Sequence, residues 1–377
     1  MKNKSISLQT LLKTVLAMLL LLSVFEACKK ADDPVVVTPV DKTKLKARID
    51  SANAIYTSAV EGVQVGNYEV GSKATFKNYI DAANIIYGNA AATQTDATNA
   101  YVNLGVGMTN FAGKRVQEIA AANLILYLKM DGNANDASGK GFNGALKAGA
   151  QPISATVTSG SVTQAVSWTG WGGSATNVPA LTKDRYGVDG KAYTFDKGSN
   201  IEIPYNSVLN PAKEFTIALW ARPTKINESS YMVSLNRWNG YKFQLQSANK
   251  PFLTVKTAPG KYIDKDNESP TLDVNKWYHL TVTYKSGAMT FYVNGTPVKT
   301  WTDVSGDPYA VKSNINLVIG QDLPSNLYQL NEKDDADGNN FNGPWGGYFT
   351  GDMDEIRMYN VVLSDTQVKS IYNAEKP

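Results

Sequence analysis

The chain has 377 residues, with 37 Lys and Arg against 34 Asp and Glu and a formal net charge of +3. That near-neutral balance, with no Lys/Arg block, argues against nucleic acid as a partner. A single cysteine, Cys28, and a single histidine, His279, exclude a disulfide framework, a Cys-based zinc site and an all-histidine metal site. The length allows two domains, one of them large enough to bury its own core.

Lys2, Lys4 and Lys13 precede an uncharged apolar run from Thr14 to Phe25. The run suits a secretory signal and is too short to span a bilayer. Cys28 resembles the acylated first residue of a bacterial lipoprotein. Ala27 fits the lipobox, whereas Phe25 and Glu26 depart from it. The resemblance implies a signal peptide over residues 1–27, a lipid on Cys28 and contact with the membrane through that lipid alone. The other reading is a buried free thiol behind an ordinary cleaved signal. Lys29-Lys30-Ala31-Asp32-Asp33 is similar to the charged export signal of Bacteroidetes-type lipoproteins, which implies an outer-membrane location facing the cell exterior. Residues 28–41, with Pro34, Pro39 and a valine run, read as an extended tether.

From Lys42 the apolar period becomes helical. Leu45, Ile49, Ala52 and Ile55 form one stripe; Phe76, Ile80, Ala83 and Ile86 a second; Ala97, Tyr101, Leu104, Met108 and Phe111 a third. Three amphipathic helices must pack together to bury such stripes, which predicts a three-helix bundle over residues 42–115. The arrangement resembles the FIVAR-type modules of cell-surface sugar-active proteins. Either it binds ligand or it is a spacer, and we read it as a spacer.

From Leu124 the period becomes two. Phe215, Ile217 and Leu219 alternate with Thr216, Ala218 and Trp220, and Trp277, His279, Thr281 and Thr283 alternate with Tyr278, Leu280, Val282 and Tyr284. Asn294-Gly295 between two such runs predicts a hairpin, because both turn positions need positive φ. Further strands are expected at 191–195, 200–203, 241–246, 252–256 and 315–319. Ser364 to Gln367 has the form of a capping box opening a short last helix. Many short strands separated by Gly, Pro and Asn turns predict a mostly β fold, a two-sheet antiparallel jelly-roll sandwich over residues 119–377, preceded by the small helical bundle.

The segments Leu124 to Gly144 and Gly347 to Ser364, with the strands around Trp220, His279 and Asn294 between them, resemble the laminin-G-like modules of the concanavalin A-like superfamily. The resemblance implies a sandwich that binds a partner, most often a polysaccharide or glycoconjugate. Family 16 glycoside hydrolases of the same clan carry Glu-x-Asp-x-x-Glu on one strand. The nearest string here, Asp352 to Ile356, lacks the first Glu and the correctly spaced last one. Asp352 and Asp354 share a strand face but read as structural, so no catalytic residue is assigned. His279 has no Ser or Cys motif to activate and reads as a satisfied core or interface residue. A polysaccharide-degrading hydrolase or lyase, with acids from the loops, stands as the alternative, and a protein-binding adhesin as a second.

For ligand recognition we single out aromatic and polar side chains outside the strand pattern: Trp168 and Trp171 in a Gly-rich loop, Arg237 and Trp238 at a turn, and Asp335, Asp337, Trp345 and Tyr348 in a second inserted loop. An indole stacks on the C–H face of a sugar while amides, carboxylates and Arg meet its hydroxyls. These loops equally suit lids over a sheet edge or face. The resemblance implies that the loop of Asp131, Asn133 and Asp136 lies beside the last strand, where with Asp354 it would supply oxygens for one structural Ca2+ joining the two ends of the sandwich. A plain Asx turn without an ion accounts for the same loop.

Overall fold

A computed structural model describes residues 39–149, 154–159, 162–167, 174, 176–226, 229–311, 315–325 and 347–377. Cys28, the leader and most of the tether lie outside the described residues, as do Trp168, Trp171, Asp335, Asp337 and Trp345.

Three helices open the described chain: α1 (Thr43–Ser58), α2 (Ser72–Gly88) and α3 (Gln94–Ala112). Each buries the stripe expected of it. Leu45, Ile49, Ala52, Phe76, Ile80, Ala83, Ala97, Leu104 and Phe111 make one core. Phe111 stacks on both Phe76 and Tyr68, with centroids at 4.5 and 4.2 Å. Thr93 caps α3 with a reciprocal box to Asp96.

The rest is a sandwich of two antiparallel sheets. The first joins β15 (Thr296–Trp301), β14 (Ala288–Val293), β13 (Tyr278–Lys285), β8 (Glu214–Pro223), β17 (Gly351–Tyr359), β6 (Ala192–Phe195) and β5 (Ala180–Thr182), in that order. β1 (Leu124–Leu128) also pairs with β17. The second sheet joins β12 (Lys261–Asp266), β11 (Lys250–Ala258), β10 (Tyr241–Gln246), β9 (Ser230–Leu235), β16 (Leu317–Ile319), β7 (Asn200–Ile203) and β2 (Ala145–Lys147). β3 (Ser154–Ser159) and β4 (Val162–Ser167) form a separate hairpin. The two ends of the module therefore meet as neighbouring strands, Leu128 opposite Ile356 and Leu126 opposite Met358. Asn294 and Gly295 both take positive φ, 51° and 70°, in the β14–β15 turn, as the hairpin pattern requires.

Between the sheets lies one core, including Phe195, Ile217, Leu219, Phe243, Val255, Phe291, Leu317 and Met358. Because side chains alternate along each strand, the residues between these core positions point to the two outer faces. The outer face of the first sheet is covered by α4 (Asp365–Glu375), whose capping box between Ser364 and Gln367 is formed as expected. Tyr372 of α4 packs on Trp220 and His279, so Trp220 belongs to this helix–sheet contact and not to the sandwich core. The outer face of the second sheet is different, and it is where the site lies.

Candidate functional site

The second sheet turns outward Lys242 and Gln244 of β10, Thr254 and Lys256 of β11, Ser234 of β9 and Glu202 of β7, each alternating along its strand with residues of the core. All six are buried. A register shift between β9 and β10 brings Tyr231 opposite Gln244 and adds a buried phenol to the same face. Buried polar side chains must find partners, because each one left unpaired is costly. Lys256 Nζ donates to Asn239 Oδ1 at 3.1 Å, Lys242 Nζ donates to Gln244 Oε1 at 3.0 Å, and Thr254 bonds Asp264. Ser234 Oγ donates to the carbonyl of Asp322 at 2.7 Å.

Arg237, Trp238 and Asn239 form the β9–β10 turn. Asn236 and Arg237 both hold positive φ, 56° and 50°, and a Cβ on Gly240 would meet the carbonyl oxygen of Leu235 at 2.2 Å. Positive φ is unusual for Arg and is held here by the surrounding structure. Its effect is to turn the Arg237 guanidinium onto the Asp322 carboxylate as a buried ion pair. Asp322 follows β16, which lies between β9 and β7, so sheet pairing and not sequence proximity brings it there. Its burial raises the carboxyl above its usual range, against the pull of Arg237. Trp238 is half-buried, and its ring lies 4.9 Å from Lys242 Nζ. The face thus combines aromatic rings, amides, a carboxylate and cations within one patch.

Tyr348 lies at the margin of this patch. Its backbone bridges Gln321, and the amide of Asp322 donates to the carbonyl of Gly347 at 3.1 Å. Burial first, then the charge of Asp196, raises its phenol. Of the described candidates for ligand recognition, Arg237, Trp238 and Tyr348 therefore gather around Asp322. Sequence reasoning missed Asp322, Lys242, Gln244 and Lys256. The strand alternation at 241–246 and 252–256 already set Lys242, Gln244 and Lys256 opposite the core; only the pairing of β16 could reveal Asp322.

The ion expected between the ends of the sandwich does not fit the residues assigned to it. Asp136 closes its own loop: its carboxylate accepts from the amides of Tyr127, Ser138 and Phe142 at 3.0, 2.9 and 3.0 Å, and from Ser138 Oγ at 2.8 Å. Burial opposes its charge, yet these hydrogen bonds together hold its pKa below the ordinary value. Asn133 Oδ1 accepts from the amide of Asn135, an Asx turn, and Asp131 faces Lys191 at 3.4 Å. Asp354 pairs with the Arg185 guanidinium, which supplies the positive charge a cation would have brought. Its Oδ1 is buried without a hydrogen-bond partner, and burial pushes the carboxyl up to about 8 despite Arg185. Among the described residues no group of three or more His, Cys, Asp or Glu side chains is placed to hold a metal.

Asp352 and Asp354 do share the outer face of β17, each held by an arginine, Arg222 and Arg185. Next to them Glu355, at φ 55°, forms a bulge that lets it reach outward as well. It bonds Tyr127 and Arg357, and Arg357 reaches Glu375 of α4 at 2.6 Å. The Asp and Glu of this strand are therefore structural, and they tie α4 to the sheet. His279 is buried beneath α4, and neither ring nitrogen has a hydrogen-bond partner among the described residues. Burial, reinforced by Arg357 and Arg185, lowers its pKa to about 3, so it is neutral and unsatisfied, which corrects the expectation of a satisfied histidine.

Residues 195–369 match the family model described as the concanavalin A-like lectin/glucanases superfamily, Laminin_G_3. This part of the chain is a laminin-G-like domain of that superfamily, with the two-sheet sandwich seen here. No curated protein sequence matches the chain. Among solved structures, it is similar to domain 4 of AbnA, a GH43 extracellular arabinanase from Geobacillus stearothermophilus, in complex with arabinotriose. The identity is 17%, the coverage 66% of this chain and 98% of that one, and the TM-score 0.46. It is also similar to the binding domain of Paraclostridial Mosquitocidal Protein 1, at 19% identity, 67% and 52% coverage and a TM-score of 0.45. The binding domain of Botulinum neurotoxin DC in complex with rat synaptotagmin II matches at 14% identity, 68% and 52% coverage and a TM-score of 0.42. The chain spans about half the length of these two toxin chains.

Proposed function

We propose that this protein is a surface lipoprotein, anchored through Cys28, whose laminin-G-like sandwich recognises a glycan on the outer face of its second sheet. The observation that carries the reading is the patch around the Arg237–Asp322 pair, where a half-buried indole stands among buried amides, a carboxylate and cations. Trp238 offers a flat apolar surface to the C–H face of a sugar ring, and Arg237, Asn239, Gln244 and Asp322 offer the donors and acceptors that hydroxyls need. The superfamily holds both lectins and glucanases, and the carboxylates here favour the lectin. A glycoside hydrolase needs two carboxyl groups facing each other across the scissile bond. Asp352 and Asp354 instead lie on the opposite sheet, each occupied by an arginine.

A polysaccharide array, read for bound protein and for released reducing ends, tests this with the chain lacking leader and tether. Binding without new reducing ends is expected, unchanged by a chelator. Trp238→Ala should weaken it by about tenfold, the loss of ~1.4 kcal/mol expected when one good contact at a binding surface is truncated. New reducing ends would replace the lectin with an enzyme, and binding that ignores the Trp238 change would move the site elsewhere.

A further inference from the structure

Among the described residues, Lys242 differs from the arginines in how its charge is met. Three arginines whose side chains are largely covered each have a carboxylate against them: Arg237 with Asp322, Arg185 with Asp354, Arg357 with Glu355 and Glu375. Lys242 does not. It is 3% exposed, and among the described residues the one hydrogen bond of its ammonium is to the neutral amide of Gln244, at 3.0 Å. Among the described residues no carboxylate comes within ion-pair distance of its Nζ.

What surrounds the ammonium is aromatic. The ring centroids of Trp238 and Phe252 lie 4.9 Å from Nζ and that of Tyr231 lies 5.4 Å away. Such a cage favours a cation through the ring quadrupoles, but it neutralises no charge. Three charged groups act on Lys242 at longer range: Asp264 and Asp322 favour its charged form, while Arg237 opposes it. Burial outweighs them and lowers its pKa to about 8. A desolvated ammonium in a cage, one half-buried indole away from solvent, is a site prepared for an anion from outside.

Resting on the glycan reading above, we propose that the glycan taken by this face carries an anionic group, a carboxylate or a sulfate ester, that pairs with Lys242. The ring of Trp238 would then stack on the sugar that bears the group, and Gln244 would hold a neighbouring hydroxyl.

Titration calorimetry of the full chain with three oligosaccharide probes separates the cases: a carboxylated oligogalacturonate, a sulfated galactan and a neutral galactan of equal length. An anionic probe should bind at least tenfold more tightly than the neutral one, and which anionic probe wins identifies the group. That preference should shrink as NaCl rises, because salt screens the free anionic probe and weakens its attraction to the cation as it approaches from solvent, though less steeply than at a fully exposed site. Lys242→Gln should remove the preference, and Lys242→Arg, which keeps the charge, should retain part of it. The salt dependence on unaltered protein gives the answer even if the glutamine variant fails to fold. Equal binding of neutral and anionic probes, insensitive to salt, would overturn the anionic assignment and leave glycan recognition standing. No binding of any probe, followed by none on the wider polysaccharide array, would overturn both.

Discussion

His279 is the one titratable imidazole of the chain, which makes its protonation readable without assignment. It is packed against Trp220, 5.4 Å between ring centroids, and against Tyr372, with Arg357 and Arg185 both disfavouring its cationic form. The folded pKa of about 3 lies below the ordinary value of 6.5. Between these values the unfolded chain binds a proton that the folded chain refuses. Stability from this residue is therefore complete above pH 6.5 and lost progressively as pH falls toward 3, by about 1.4 kcal/mol for each pH unit in that window. Asp354, Asp322 and Glu375, whose carboxyls burial raises, contribute slopes of the opposite sign over part of the same range, so the comparison must be made against a variant. Urea unfolding of the protein and of His279→Gln between pH 7 and pH 5 should give curves that converge on acidification, the wild type losing more stability than the variant. Parallel curves would mean that the imidazole is reached by solvent and protonates in place.

At the scale of elements, period-two alternation made most strands legible, and the ends of each sheet residue series agree with it. The helices were equally legible, because Leu45, Phe76 and Leu104 with their periodic neighbours have no alternative burial than against one another. What alternation cannot give is a break in its own parity. In β17 the bulge at Glu355 sends Asp354 and Glu355 outward in succession and returns Ile356 to the core. A strict period-two reading places one of the two acids inside. The Arg237 turn was legible as a turn with an aromatic outside the strand pattern, whereas its partner Asp322 arrives through the pairing of β16 with β9, a contact between residues far apart in the chain. The loop of Asp131, Asn133 and Asp136 shows the same limit in reverse. Its composition suits an ion, yet backbone amides claim the Asp136 carboxylate, a choice that only the folded loop displays. β17 also carries its own test. Gly351 sits at φ 145°, and a Cβ there would meet the carbonyl oxygen of Arg222 at 2.2 Å and Cα of Pro223 at 3.0 Å. Both neighbours are backbone of β8, so the clash cannot be relieved by a rotamer change. Gly351→Ala should lose about 2 kcal/mol or more by urea unfolding, whereas an unchanged midpoint would show that the β8–β17 ladder can shift there at little cost.

Over the whole molecule, α4 is the piece that makes one body of two cores. Val368 and Leu363 pack with Tyr292 and Tyr359 of the first sheet and with Ile119 and Leu124, which lead from the bundle into β1. On its other side, Ser370 Oγ donates to the carbonyl of Val63 at 2.7 Å and Thr366 Oγ1 to that of Gly113 at 3.1 Å. A cleft of about 590 Å³ lies beside this junction, lined by Asn110 and Lys114 of the bundle side and by Thr290, Tyr292 and Asp365 of the sandwich side. The helical module is thus seated against the first sheet through α4, while the candidate ligand face belongs to the second sheet. If the chain is tethered through its N-terminal side, that seating turns the ligand face away from the anchor, which a loose spacer would leave to chance. Among the described residues the junction rests on few contacts: one buried valine, a handful of apolar neighbours and three side-chain hydrogen bonds, the third from Gln367 Nε2 to the carbonyl of Glu118 at 3.4 Å. Val368→Asp places a carboxylate in a fully buried position among apolar side chains and should break the seat while leaving the separate bundle and sandwich cores intact. Small-angle scattering should then show a wider distribution of interatomic distances than the unaltered protein gives, with the circular-dichroism signature of helices and strands retained. An unchanged distance distribution in a folded variant would mean that contacts other than α4 hold the bundle, and the oriented display of the ligand face would need another cause.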